Sequence, residues 1–393
     1  MLNLRKRSKK NFFFEIFIVI VFSIIIVSFK STFVEALSDS GQADFQLYPA
    51  KCALQGINHY TSYINRDGEC AFFMAQYGEY AQGFYILVLP LTFLEWNKAK
   101  TIWFTLNIIL TFFLIFFLCK KFKINKIYTF LIIFLVFSSI VTKASLIMGQ
   151  QAIFTLFFLA LPFIFNSRLS HFLSGISYFK YNIGYGLFIF YLISKKYKIL
   201  FYSLIPCFFG WIIYCLITNS NFIENLFQPI QLSIKNLSTI NQFFLFSFLK
   251  EIINLSEPIQ YLLMFLPSIL LNLFFIKKIS SLKNDLQKLS CLCILVLISI
   301  PHYPHDYVLV IPLLIYAIKS YSVNIFISRI NFFGAIYFLN FYRAVEIYFE
   351  KFLLFLNFEI NFVKATVLII SYTNIFFLFL ILILNCDILK KNT

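Results

Sequence analysis

The sequence predicts an all-α fold, a polytopic integral membrane bundle of about ten to twelve helices. Three observations carry that expectation. Of 393 residues, 60% are hydrophobic, 55 are Phe and only 13% are charged, whereas charged residues approach a quarter of an ordinary soluble domain. Apolar runs of about 18 residues or more, the length that crosses hydrocarbon, recur along the whole chain. Backbone groups in lipid must bond within their own segment, so these runs are read as helices despite their richness in Ile and Phe. The third observation is the placement of the basic residues, which gives the bundle a direction.

Spans are predicted at 12–37, 101–118, 128–142, 152–165, 199–217, 258–276, 289–300, 307–318, 331–342 and 365–385. The first follows Arg5, Lys6, Arg7, Lys9 and Lys10, which hold the N-terminus in the cytoplasm. Val34-Glu35-Ala36 has the small-residue spacing of a signal-peptidase site, but the apolar run is too long and more spans follow, so an uncleaved anchor is expected. Residues 84–96 are short, apolar and contain Pro90, and are expected at the interface or re-entering. Residues 172–194 hold Gly175, Lys180, Gly184 and Gly186 between Arg168 and Lys195; a hairpin returning to the cytoplasm fits them best.

With these spans, 21 of the 33 Lys/Arg fall in seven short inner segments, the bias that sets orientation. Of the 17 acids, Asp285 and Asp387 fall inside and Glu15 in the first span. The chain is therefore expected to be a single multi-pass domain of the plasma (inner) membrane with both termini cytoplasmic. The net charge of +16 is explained by inner loops, and no nucleic-acid partner is expected. Two large extracytoplasmic segments follow from this count. They are 38–100, a first loop with interfacial helices, and 218–257. Shorter outer pieces are 143–151, the turn Pro301-His302-Tyr303-Pro304-His305-Asp306, and 343–364.

Chemistry is expected on the outer side, because the inner loops are short and basic. Asp44 follows the first span closely, and a carboxylate partly desolvated at a membrane surface has its pKa raised toward the working pH of a general base; most loop aspartates are simply solvated. Asp39, in Ser38-Asp39-Ser40-Gly41, reads as turn chemistry. His302, His305 and Asp306 place half of the chain's four histidines in one turn, where imidazole can accept or relay a proton. Lys180 lies in an apolar hairpin, where an ionisable group is a functional hypothesis or a lysine snorkelling to the interface. Gln150 after Gly149 either contacts a sugar or caps a helix. Cys52 and Cys70 share the first loop and are either a disulfide staple, which an oxidising compartment permits, or two unrelated thiols. No metal-ligand spacing appears, since Cys291-x-Cys293 lies in an apolar helix.

Taken in order, these motifs resemble glycosyltransferase family 87, the polyprenol-phosphate-mannose-dependent mannosyltransferases of GT-C architecture. The matching residues are Asp44 with Tyr48 and Gly56…Tyr60, then Leu89-Pro90-Leu91 with Ala99…Trp103…Asn107. Gly149-Gln150, Gly175…Lys180, Asn241-Gln242 and Pro301…His305-Asp306 follow. Ala152, Phe243 and Gly184 stand where the pattern has Asn, Ser and Pro. The resemblance implies transfer, with inversion and without a cofactor, of a hexose such as mannose from a polyprenyl-phosphate sugar donor to a glycolipid or cell-envelope glycan acceptor. It implies Asp44 as base with His305 assisting or orienting it. Lys180, Gln150, His302, Asp306, Asn241 and Gln242 are then substrate contacts, Lys180 meeting the donor phosphate only if its hairpin reaches the outer half of the membrane. Two rivals follow from the same topology. An envelope polysaccharide polymerase or ligase leans on outer arginines, of which only Arg66 and Arg343 are found. A lipid-linked sugar transporter calls for charges along a central path between inverted repeats, and no repeat is visible.

Overall fold

The computed structural model describes residues 30–66, 70, 76, 78–237, 257–300, 302–356 and 358–386. All regular structure among them is helical. In chain order the helices are α1 (30–37), α2 (Leu47–Leu54), α3 (His59–Asn65), α4 (Gln82–Val88), α5 (Trp96–Lys121) and α6 (Lys126–Ser138). Then come α7 (Ile140–Met148), α8 (Ala152–Ile164), α9 (Arg168–Ser174), α10 (Tyr181–Ile193), α11 (Tyr197–Thr218) and α12 (Phe222–Leu237). The last six are α13 (Glu257–Ser281), α14 (Asp285–Ser299), α15 (Ile311–Ser320), α16 (Ile325–Asn340), α17 (Tyr342–Phe355) and α18 (Ile360–Asn385). Short 3-10 turns at Leu89–Phe93, Gly175–Phe179 and Pro304–Val310 join them.

Among the described residues, three helices are long and apolar enough to cross a membrane by themselves: α5, α11 and the Thr366–Asn385 part of α18. Their outward faces are apolar too, with Phe112, Phe113 and Phe116 exposed on α5 and Phe201, Phe208 and Phe209 on α11. Contiguous exposed hydrocarbon of this kind calls for lipid or protein against it. The expected span at 128–142 is instead a bent pair, α6 and α7 meeting at 58°. The bend has a local cause. Ser139 is extended and its hydroxyl accepts from the Thr142 amide, a helix cap placed inside an apolar run. A second bent pair, Ile325–Asn340 with Val345–Phe355, turns by 61°. Helices α8 and α10 have 13 residues each, a rise of about 20 Å, short of a bilayer core of about 30 Å. The predicted span at 152–165 is therefore too short to cross alone, and 12–37 is described only over its last eight residues, where it is helical.

Two cores hold the described residues together. The larger surrounds α14, on which Leu286 and every residue from Leu289 to Ser299 are buried. The smaller packs the first loop's aromatic residues Phe45, Tyr60, Phe84 and Tyr85 against Trp103, Phe154 and Tyr214 of the bundle. Phe45 stacks on Trp103 with ring centroids 4.9 Å apart. Helix α5 begins at Trp96, five residues before the span expected at 101–118. Helix α4 lies against α11 through two glycines: a Cβ on Gly210 would sit 2.3 Å from the Cα of Gly83, so the backbones touch where any side chain would part them. Cys52 and Cys70 form a disulfide closing a separation of 18 residues, which decides between the two readings of this pair.

Substituting Gly210→Leu should force α4 off α11 and cost about 1–3 kcal/mol, the range for overpacking. The measurement is the unfolding midpoint in detergent, with Gly210→Ala giving a smaller loss of the same sign.

Candidate active site

The site is built where the first loop crosses the end of α7. The last carbonyls of a helix have no partner inside it, and here the loop supplies them. The Gln42 amide donates to the Ile147 carbonyl at 2.7 Å and the Asp44 amide to Met148 at 2.9 Å. The side-chain amide of Gln42 also donates to the Leu146 carbonyl. Gly149 terminates α7 at φ +72°, a conformation glycine adopts without cost. Its carbonyl accepts from the Trp103 indole at 2.9 Å, and a Cβ there would meet Gln42 Oε1 at 2.7 Å. Asp44 is thereby fixed to the turn that carries Gln150. Its carboxylate accepts from Gln46 Nε2 at 3.0 Å, its carbonyl accepts from Gln151 Nε2 at 3.1 Å, and the Gly78 amide in turn holds Gln46 Oε1 at 3.2 Å.

The hairpin brings the cation. The 3-10 turn Gly175–Phe179 rises to Lys180, α10 descends from it, and the two limbs return together, with the rings of His171 and Tyr191 6.4 Å apart. At the tip, Lys180 Nζ lies 2.6 Å from Asp306 Oδ1 and 3.4 Å from Gln150 Oε1. The tip thus meets the 302–306 turn, and the lysine is paired inside the protein. A buried, paired ammonium of this kind is not reaching for a surface. Lys180 and Asp306 are 5% and 0% exposed, so this is a dry ion pair.

Asp306 also organises its own turn. Its second oxygen accepts from the Tyr303 amide at 3.2 Å and lies 3.2 Å from His302 Nδ1. His302 Nε2 stands 3.0 Å from the Val296 carbonyl. Both ring nitrogens of His302 are therefore engaged within the protein, and the residue positions Asp306 instead of facing a ligand. Asp306 is likewise sealed from the cavity. Burial opposes ionisation of its carboxyl, but Lys180 and the His302 hydrogen bond outweigh it and hold Asp306 well below the usual carboxylate range.

A cavity of about 160 Å³ opens above this pair, lined by Asp44, Gln46, Glu79, Tyr80, Met148, Gln150, Tyr303 and His305. His305 stacks on Tyr303 with centroids 5.2 Å apart. Its Nε2 is buried without a hydrogen-bond partner and stands 4.0 Å from Asp306 Oδ1, beyond bonding distance. Burial pushes the imidazole down to about 3, with Asp306 opposing and Lys180 and His302 adding to the shift, so it is neutral near pH 7. Asp44 behaves oppositely. Burial, reinforced by Glu79 and Asp306, raises its carboxyl well above the usual range against the pull of Lys180 and the Gln46 hydrogen bond. Tyr80, whose ring lies 5.8 Å from Lys180 Nζ, is kept protonated by burial and the acids near it.

Six of the expected site residues, Asp44, Gln150, Lys180, His302, His305 and Asp306, come together in this cluster. Asn241 and Gln242 lie outside the described residues. Cys52 and Cys70 brace the loop and are not among the cavity-lining residues. The sequence reading overlooked Gln46, Gln151, Tyr80 and Tyr303. Gln46, two residues from Asp44, and Gln151, adjacent to Gln150, carried a proximity signal; Tyr80 had only its place beside an acid. No family model, curated protein or solved structure matches this chain. The reading of the site accordingly rests on its own geometry.

Replacing Asp306 by Asn leaves the Lys180 charge buried without a counter-charge. A loss of about 3–5 kcal/mol is expected from breaking such a pair, while Lys180→Met with Asp306→Leu should recover most of it. Unfolding of the single and double variants in detergent checks both outcomes.

Proposed function

We propose that this cavity is the transfer site of a membrane glycosyltransferase that inverts configuration. The carrying observation is the pairing, on one small cavity, of a carboxylate raised by burial (Asp44) with a buried imidazole whose Nε2 has no partner (His305). A carboxylate of raised basicity is suited to take a hydroxyl proton near neutrality. The acceptor hydroxyl gives its proton to Asp44, and its oxygen attacks the anomeric carbon. The bond from that carbon to the phosphate oxygen breaks, and the electron pair leaves with the polyprenyl phosphate. Neutral His305 hydrogen-bonds and orients the acceptor. Lys180 is already neutralised by Asp306, so it gives the donor phosphate no free charge. The amide of Gln150 and the Tyr80 phenol stand at the cavity to hydrogen-bond the departing oxygens.

In this reading the cavity faces the extracytoplasmic surface of the plasma (inner) membrane, and both termini are cytoplasmic. The short helices α8 and α10, the bent pairs and the first span complete a GT-C-type bundle of about ten to twelve spans. The donor is a polyprenyl-phosphate hexose, with mannose the sugar that the motif order favours, and the acceptor is a glycolipid or envelope glycan.

Asp44→Asn should lower kcat for transfer from a lipid-linked hexose by roughly 10²–10⁴-fold, the usual contribution of a general base. A full rate in membranes carrying the variant would remove Asp44 from the reaction. The base acts ionised, so the wild-type rate should rise with pH through the Asp44 ionisation, with a midpoint above the ordinary carboxylate range. His305, at about 3, should add no step near neutrality. A pH–rate profile in proteoliposomes reads both.

A further inference from the structure

Helix α12 is amphipathic in the reverse of the usual sense. Asn225 and Gln228 are buried at 0% and 3%, while Ile223, Leu226, Phe227 and Ile230 are exposed. An apolar face turned outward beside a membrane bundle lies in the plane of the interface. The buried face forms a connected amide network. Gln82 Nε2 donates to the Asn225 side chain at 2.9 Å, Asn225 Nδ2 to Gln228 Oε1 at 3.1 Å, Asn58 Nδ2 to the same oxygen at 2.9 Å, and Gln228 Nε2 to Thr61 Oγ1 at 3.0 Å. Gln82 is two residues from Tyr80 of the cavity, so one short segment joins the two places.

Over this network lies a second and larger cavity of about 390 Å³, lined by Ile57, Asn58, Thr61, Ser62, Thr218, Asn219, Ser220, Asn221, Glu224 and Gln228. Of the lining residues, eight carry a hydroxyl or side-chain amide, one a carboxylate, and none a cation. That composition rejects phosphate and other anions and suits a neutral ligand dense in hydroxyls. The fixed amides and hydroxyls of the floor supply both donors and acceptors, and Glu224, exposed on the first turn of α12, is placed to accept charge-assisted bonds from hydroxyls of a ligand.

We infer that the cleft between α3 and α12 binds a neutral saccharide at the membrane surface. Under the transferase reading above, on which this role rests, it is the subsite for the acceptor glycan. Binding is tested apart from transfer. The full chain in nanodiscs is titrated with neutral trisaccharides of glucose, mannose and galactose, followed by saturation-transfer NMR. Each sugar is presented free and as a glycolipid within the disc. At least one trisaccharide should bind, Glu224→Ala and Ser62→Ala should each weaken it, the former about tenfold, and Asp44→Asn should leave it unchanged. Binding of the free sugar identifies a soluble glycan acceptor, and binding only in the glycolipid identifies a lipid-linked one. If no trisaccharide binds in either form, or Glu224→Ala binds as tightly as wild type, the cleft is not a saccharide site. Absence of hexose transfer by the wild type from any lipid-linked donor, with cleft binding intact, would overturn the transferase reading and leave the saccharide site standing.

Discussion

The buried contact between Lys180 and Asp306 is the constraint on which the rest of the site depends. An ammonium and a carboxylate removed from water cost several kcal/mol each unless they face one another with their remaining bonding capacity satisfied. Here those demands tie the hairpin to the turn after α7 and order the 302–306 turn. The lysine takes the Gln150 amide oxygen, and the aspartate takes the Tyr303 amide and His302, which in turn stands against the Val296 carbonyl. The hairpin tip, the end of α7 and the turn before α15 cannot separate without stranding a charge.

Above that fixed floor the two groups left for chemistry have opposite characters. Burial disfavours the charged form of each, so the Asp44 carboxyl becomes more basic and the His305 imidazole less so. The contrast comes from environment alone, since both line the same cavity. Such divergence of neighbouring titratable groups is a common property of catalytic sites. The amide-rich cleft beneath α12 has a different character, with no cation and one carboxylate among its lining residues.

Much of this was legible in the sequence. The helical class followed from hydrocarbon content, and Asp44, Gln150, Lys180 and the 302–306 turn were singled out one by one, as scarce polar residues beside apolar runs. Their convergence was not legible, because it depends on which helix ends meet. The bend at Ser139 was hidden for a similar reason: a single hydroxyl capping the next turn interrupts a run whose hydropathy is continuous. Lys180 shows the limit most plainly. A lysine in an apolar hairpin reads alike whether it snorkels inward or pairs outward, and only the position of Asp306 decides it. Helix α12 was hidden because its polar stripe is buried, against the ordinary direction of amphipathic pattern.

The Lys180–Asp306 pair also dictates an order of events during synthesis. The partners are separated by 126 residues, so the lysine is made and delivered toward the bilayer long before its counter-charge exists. Until the 302–306 turn arrives, the hairpin has no reason to hold its tip at the cavity, and Gln150 and Asp44 wait on an unfinished floor. Assembly of the site is therefore a late, long-range step. A chain shortened before residue 306 would carry Asp44, the loop disulfide and the α7 dock, yet remain without a place to bind.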